Sequence, residues 1–365
     1  MKIEIRLKNV LKKHKLYHHG VMQQIARDLK VHRHTIRKLY HNQTANVSLD
    51  TLGRVCEWLQ KKGVPADELP GALFGACPSE LWQAIAMPGK VTVYLGEYQQ
   101  TQPPAAAWRW ISRRDAAVAA DFVQELSTHS EIGAALPQVN IMYVPFRWDM
   151  QSSNVTKKPL AEDINNTKKI FNLMKTGSSS STSILIGSQR VNYLVEYFVA
   201  DLFGCKPFCR PGGRSRVPFY LFYRDGDRAV ESCFGGLKNP LGGRSTPVPG
   251  IYYCDEEEKW VTCPWRKNKH DAGVVITLYD PGTKAVEVAA FGFSGRATDA
   301  VGEQLILDKG HFWPPSIKVK GKQIGIYICR FDFTGSQSIK GTEEVQVKKT
   351  DIISLDEKIL KKYLH

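Results

Sequence analysis

Between Val21 and Tyr40 the chain reads VMQQIARDLKVHRHTIRKLY, and its apolar positions fall into two short helical stripes. Ile25, Ala26 and Leu29 form the first and Ile36 and Leu39 the second, at the spacing of helices that each bury one face. The polar break Lys30-Val31-His32 separates them, with Val31 as its single apolar plug. Two helices crossing through a tight turn need this arrangement: small Ala26 lets the axes approach, Val31 holds the elbow, and the second helix keeps a polar face. That face carries Arg33, His34, Thr35, Arg37 and Lys38. A preceding helix is expected over Leu7 to Lys15. A following one opens at Ser48, whose hydroxyl suits an N-cap, and runs SLDTLGRVCEWLQ with Leu49, Leu52, Val55, Cys56 and Leu59 turned inward.

From Pro70 to Gly89 the pattern weakens to a connector with one short helix, Pro78 to Ala86. Beyond Lys90 strands and helices alternate. Strands are expected at Val91–Leu95, Val139–Val144 and Ser183–Ile186, and helices at Arg114–Leu126, Leu160–Met174 and Val191–Phe203. Further strands follow at Val217–Tyr223, Gly273–Tyr279, Val286–Phe291 and Gly325–Phe331, with a helix from Thr298 to Leu307. This spacing favours an α/β fold with a parallel sheet covered on both faces, Rossmann-like in the broad sense. The expected organisation is multidomain: an all-α unit over 1–70, a connector over 71–89, and a larger α/β unit over 90–365, with 90–210 and 211–365 as candidate lobes. The tail from Val345 to His365 reads as a strand and a helix whose ILKKYL could support subunit contacts.

The first seventy residues resemble the Cro/C1-type (phage-repressor-like, XRE) helix-turn-helix family. The resemblance rests on the 21–40 motif, its flanking helices and the close Pro65-Ala66-Asp67-Glu68-Leu69. The chain departs from the family at the turn, where Lys30 stands in place of the usual Gly. A left-handed backbone there would cost on the order of 1 kcal/mol. Met22, with Gln23 beside it, fills the slot the family gives to Gln. The resemblance implies double-stranded DNA as partner, with Arg33, His34, Thr35 and Arg37 toward base edges and Lys38, Arg27 and Asn42 toward phosphates. It also implies a homodimer on a pseudo-palindrome, since one small head contacts few base pairs.

Charge points the same way. Residues 1–70 hold fourteen Lys and Arg against six Asp and Glu, an excess of eight, while the whole 365-residue chain carries +14. More than half the excess therefore lies in under a fifth of the length, the footprint of a polyanion partner. No apolar run approaches the roughly 20 residues of a membrane span, and the amino-terminal segment is too charged for a signal peptide, so a cytoplasmic protein is expected. The eight cysteines are scattered. Cys205/Cys209 and Cys254/Cys263 could ligate a metal, but reduced thiols are the commoner use of such residues, and no metal site is expected.

Ligands of open α/β sheets sit beyond the carboxyl ends of the strands, where helix starts offer amides. Three segments belong there. ILIGSQRVNYLVE (184–196) offers Gly187, Ser188, Arg190 and Asn192, with Glu196 a turn later. AAFGFSGRATDAVGEQL (289–305) offers Ser294, Gly295 and Arg296, and WISRRDAAVAADF (110–122) offers Ser112, Arg113, Arg114 and Asp115. Two Gly/Ser turns with arginines would suit a nucleotide-like or phosphorylated small-molecule effector, although neither is a complete GxGxxG or GxxxxGK[ST] motif. Routine turn and cap chemistry uses the same residues. Trp260, Trp265 and Trp313, set among prolines, could stack on a base or bury loops on a core. The sequence therefore reads as a DNA-binding transcriptional regulator whose α/β unit senses a small molecule or mediates assembly. The alternative is a defence-type effector that cleaves a nucleotide or NAD N-glycosidic bond, with Glu196 or Asp115 as its carboxylate. No resident cofactor is expected.

Overall fold

The computed structural model describes the chain apart from residues 1, 6, 19, 42–47, 67–68, 70–73, 78–79, 101–108, 129–135, 149–160, 178–180, 210–214, 225–230, 238–247, 316, 335–336, 340–341, 345 and 365. The chain forms two compact units, Met1–Ser79 and Glu80–His365.

In the first unit, β1 (Lys2–Ile5) precedes helices α1 (Leu7–Lys13), α2 (Val21–Asp28), α3 (Arg33–Tyr40) and α4 (Leu49–Lys61), and β2 (Phe74–Cys77) pairs antiparallel with β1. The unit is thus not all-α. A four-residue strand carries too short an alternation to stand out, and its partner lies some seventy positions away. Leu7, Val10, Leu11, Ile25, Ala26, Ile36, Leu39, Val55 and Leu59 share one core. Leu29, Val31, Leu52 and Cys56 pack against it half-buried, whereas Leu49, expected inward, is 84% exposed at the first position of α4. Trp58 Nε1 donates to Asp28 Oδ2 at 2.8 Å and ties α4 to the end of α2. Ser48 Oγ accepts from the Thr51 amide at 3.2 Å, and His32 Nδ1 caps α3 by accepting from the His34 amide at 3.2 Å. Between α2 and α3, Lys30 takes the left-handed backbone, with φ 52.

The second unit opens with α5 (Leu81–Ala86), β3 (Lys90–Gln100), β4 (Arg109–Ile111), α6 (Arg113–Thr128), β5 (Gln138–Trp148), α7 (Ala161–Thr176), β6 (Thr182–Ile186) and α8 (Tyr193–Phe203). Short strands β7 (Phe219–Phe222), β8 (Gly235–Gly236), β9 (Gly250–Cys254) and β10 (Trp260–Pro264) follow. The chain then continues through β11 (His270–Asp280), β12 (Ala285–Gly292), α9 (Gly295–Leu307), β13 (Ile317–Val319) and β14 (Lys322–Phe333). It closes with β15 (Gln337–Ile339), β16 (Thr342–Glu344), β17 (Val347–Ser354) and α10 (Glu357–Tyr363).

A nine-stranded mixed sheet organises this α/β unit. Strands β5, β3, β6 and β12 are mutually parallel; β11, β14 and β17 then alternate antiparallel, and β4 pairs antiparallel with the carboxyl end of β3. The expected all-parallel sheet is therefore corrected to a half-parallel one. The reason is loop length: only Pro281-Gly-Thr-Lys284 joins β11 to β12, too short for a crossover helix, so the two strands form a hairpin. The strand expected at 217–223 belongs to a separate four-stranded sheet, ordered β10-β9-β7-β8.

Side chains alternate across the large sheet. Leu185, Ile276, Ala289 and Ile326 enter one core with α8; Ile184, Ile186, Val275, Val288 and Ala290 enter the other with α6 and α9. Both faces are covered, which explains the near-continuous apolar runs of the central strands. Trp82 Nε1 donates to the Leu305 carbonyl at 3.0 Å and joins α5 to α9. Ile359 and Leu360 of the tail are fully buried within their own unit, so the apolar positions of ILKKYL are already used.

The backbone of Lys30 yields a direct expectation. Lys30→Gly removes the clash of Cβ in the left-handed conformation and should raise the stability of the first unit by about 1 kcal/mol in urea unfolding of the full chain. A loss of stability would contradict the strain assigned to this turn.

Candidate functional site

The carboxyl ends of β6 and β12 lie side by side, β3 runs on past them to Gln100, and the turns that leave β6 and β12 meet the start of α6. After β6 the chain turns at Gly187, whose φ of 95 favours glycine. A Cβ there would lie 2.8 Å from Val191 Cγ2 and 3.0 Å from Asp115 Oδ2. Asn192 secures the turn from within. Its Nδ2 donates to the carbonyls of Tyr94 at 3.0 Å and Ile186 at 2.9 Å, and its Oδ1 accepts from the Leu194 amide at 3.1 Å, capping α8. The turn comes so close to β3 that a Cβ on Gly96 would fall 1.5 Å from the Val191 carbonyl oxygen.

After β12, Ser294 caps α9 by accepting from the Arg296 amide at 3.2 Å, and its hydroxyl donates to buried Asp271 at 2.5 Å. Thr298 Oγ1 accepts from the Gly292 amide at 3.0 Å, which fixes the other side of this turn. Between the two turns and α6 lies a cavity of about 470 Å³. Ser188, Arg190 and Val191 line it from the first turn, Gly292, Phe293, Ser294, Gly295 and Thr298 from the second, and Tyr98, Trp110, Ser112 and Asp115 from the β3–β4–α6 side. The aromatic wall is layered: Trp110 stacks on Tyr98 with ring centres 5.8 Å apart, and Tyr98 rests on Phe146 at 4.3 Å. On the opposite turn Phe293 stacks on Tyr223 at 5.1 Å, and the Arg190 guanidinium lies 4.6 Å from the same Tyr223 ring centre.

Asp115 is the chemical centre of this cavity. It is 2% exposed, and its Oδ2 has no hydrogen-bond partner among the described residues. Burial, and secondarily the charge of Asp299, push its carboxyl up to about 7, with the Ser112 hydroxyl working in the other direction. Asp299 is itself paired with Arg114, whose side chain runs past Gly295. Asp271 is also pushed up to about 7 by burial, against the hydrogen bonds it accepts from Ser294 and the Ala272 amide. Asp271 therefore positions Ser294, while Asp115 faces the cavity with an acceptor unused.

Five of the seven expected ligand residues line the cavity or its turns directly: Ser188, Arg190, Ser294 and Gly295 on the wall, and Gly187 behind Asp115. Asn192 and Arg296 do not line it. Asn192 is fully buried in the clasp described above, and Arg296 is bonded to Asn268. Glu196, considered with Asp115 as a reactive carboxylate, lies elsewhere. It is fully buried and accepts from the Phe208 amide at 2.8 Å, the Cys233 amide at 2.9 Å and the Ser232 hydroxyl at 2.5 Å. Both its oxygens are committed to holding loops, which corrects its placement beside a pocket.

The sequence does not single out Tyr98, Phe293 or Asp299, and it offers Trp260, Trp265 and Trp313 as the candidate stacking aromatics. Trp313 instead packs on Tyr279 in the core, and Trp265 lies against Phe293 and Arg224. Tyr98 carries no signal, because it lies three residues past the strand expected at 91–95. In the first unit Arg27, Arg33, His34 and Arg37 are exposed, and Thr35 and Lys38 are half-buried; Asn42 lies outside the described residues. Among the described residues, no group of three or more His, Cys, Asp or Glu gathers as a metal ion requires, and no helix is long and apolar enough to cross a membrane.

The raised carboxyl of Asp115 links stability to pH. Its proton is held in the folded chain to higher pH than in the unfolded one, so its favourable contribution is complete below the ordinary carboxylate range and is lost as pH rises through about 7. Above that, the folded state carries a buried charge. Asp115→Asn, neutral at every pH, should raise the thermal midpoint of the full chain, with a gain on the order of a few kcal/mol at pH 8 and much less at pH 5. An equal effect at both pH values, or a loss at pH 8, would contradict this.

Compared with known proteins, the chain matches no family model, no curated protein and no solved structure.

Proposed function

We propose that this protein is a sequence-specific DNA-binding regulator whose Glu80–His365 unit takes a small-molecule effector in the cavity around Asp115. The observation that carries the DNA half is the division of α3. Ile36 and Leu39 are fully buried, while Arg33, His34 and Arg37 stand exposed on a unit rich in Lys and Arg. A short helix with its polar, cationic face free and its apolar face anchored is what a major groove accepts. Arg33, His34, Thr35 and Arg37 are assigned to base edges, and Lys38 and Arg27 to phosphates. Two heads in a dimer would supply the contacts that one cannot.

The effector half is supported by a buried carboxylate with an unused acceptor where two turns meet the start of α6. A nucleotide or NAD N-glycosidic hydrolase would draw on the same carboxylate. That reading rests on Asp115 alone, because Glu196 is fully occupied.

The division of labour on α3 is tested by titrating the full chain onto a selected duplex and a scrambled one over a range of salt, by fluorescence anisotropy. Arg33→Ala should lose about ten- to a hundred-fold of discrimination between the two. Lys38→Ala should weaken both duplexes alike and reduce the salt slope by about 1. Equal loss of specificity in both variants, or no salt-sensitive binding to any duplex, would overturn the reading.

A further inference from the structure

The walls of the cavity also restrict the chemistry of its ligand, given the effector site proposed above. We propose that the cavity takes a nucleoside 5′-monophosphate, with the base on the Trp110–Tyr98 stack, a sugar hydroxyl donating to the Asp115 carboxyl, and the phosphate toward Arg190 and the Ser294–Gly295 head of α9.

Each wall excludes something. A buried carboxylate oxygen without a partner calls for a hydrogen-bond donor, so an anion with no donor would face repulsion. Arg190, on the first turn, disfavours a cationic ligand as that donor. A hydroxyl is neutral and meets the requirement. The two glycines keep the room open: a Cβ on Gly187 would press on Asp115 Oδ2 at 3.0 Å, and one on Gly295 would press on Arg114 Cδ at 2.9 Å. Trp110 is 37% exposed, with one face already covered by Tyr98, and it offers a flat apolar surface that a sugar phosphate alone would leave uncovered. At about 470 Å³ the cavity falls within the range of small-molecule sites.

The hydroxyl-to-carboxylate bond makes binding depend on pH. The ionised carboxylate accepts a hydroxyl more strongly than the protonated acid does, and the Asp115 carboxyl is pushed up to about 7. The charged group acting on it directly is Asp299 on α9, which is itself surrounded by Arg113, Arg114 and Asp121 of α6; Arg190 lines the cavity from the first turn, and Asp271 on β11 lies behind Ser294. Affinity is therefore high above about 7 and falls as pH drops through it.

The test is calorimetric titration of the full chain with adenosine 5′-monophosphate, its 2′,3′-dideoxy analogue, ribose 5-phosphate and adenosine. The dideoxy analogue should bind about ten- to a hundred-fold more weakly than the parent nucleotide, and this difference should nearly vanish in D115N. Adenosine has no group that titrates between pH 6 and 8.5. It should gain about tenfold in affinity over that range with the native chain and stay level with D115N. Ribose 5-phosphate should bind more weakly than the nucleotide, and W110A should erase that advantage. Equal binding of the dideoxy analogue, or a flat pH profile for adenosine, overturns the assignment of Asp115. Silence of all four probes, with a thermal shift from another metabolite that W110A or D115N abolishes, overturns the nucleotide and keeps the effector site. Silence of every compound overturns both.

Discussion

One buried amide holds the site together. Asn192 joins the carbonyl of Tyr94 on β3, the carbonyl of Ile186 on β6 and the first turn of α8, and it does so with no exposed surface. Its position fixes the turn from Gly187 to Val191 over the ends of two parallel strands, and Gly96 admits the turn by having no side chain. Ser188, Arg190 and the surroundings of Asp115 follow from that placement. Replacing the amide by an apolar group would leave the Tyr94 and Ile186 carbonyls without their donor, a large penalty in a core. The cavity is thus built from main-chain constraint first, and its side chains are consequences.

The contrast between Glu196 and Asp115 separates a structural carboxylate from a site carboxylate. Both are buried and both have carboxyls raised by desolvation. Glu196 accepts two amides and a hydroxyl, so its burial is matched by bonds that hold Phe208 and the 232–233 segment in place. Asp115 has Oδ2 unmatched and a second carboxylate, Asp299, near it. The Ser112 hydroxyl offsets only part of the cost at Asp115, a pattern common to functional sites and the ground for the effector site proposed above. Asp271 falls between the two: raised in the same way, but occupied in orienting Ser294 at the head of α9.

Much of this was legible in the sequence, for reasons that differ by element. The stripes of α2 and α3 are strong because each helix buries one face only, and Lys30 marks the turn between them even without glycine. The three cavity segments were readable because a glycine or serine after an apolar run has few uses other than a strand-to-helix turn. Glu196 misled because position along α8 says nothing about which loops return to meet it; Phe208 and the Ser232–Cys233 pair arrive from twelve and more than thirty residues away. The antiparallel half of the sheet was present in the short Pro281–Lys284 link, but strand-by-strand periodicity does not register loop length. Tyr98 was hidden because β3 runs on past its apolar stretch to Gln100, held there by β5 on one edge and β4 on the other.

The two units fit one economy of design. The first presents cationic side chains on a helix whose apolar face is fully used, and the second concentrates an unmatched carboxylate, stacked aromatics and two capped turns in a single cavity. The most direct measurement is a carbon-13 NMR titration of the Asp115 carboxyl in the full chain, assigned with the Asn variant, with and without adenosine. A midpoint near 7 is expected for the free protein, with a downward shift on adding adenosine. A midpoint in the ordinary carboxylate range, or one that adenosine leaves unmoved, would contradict this.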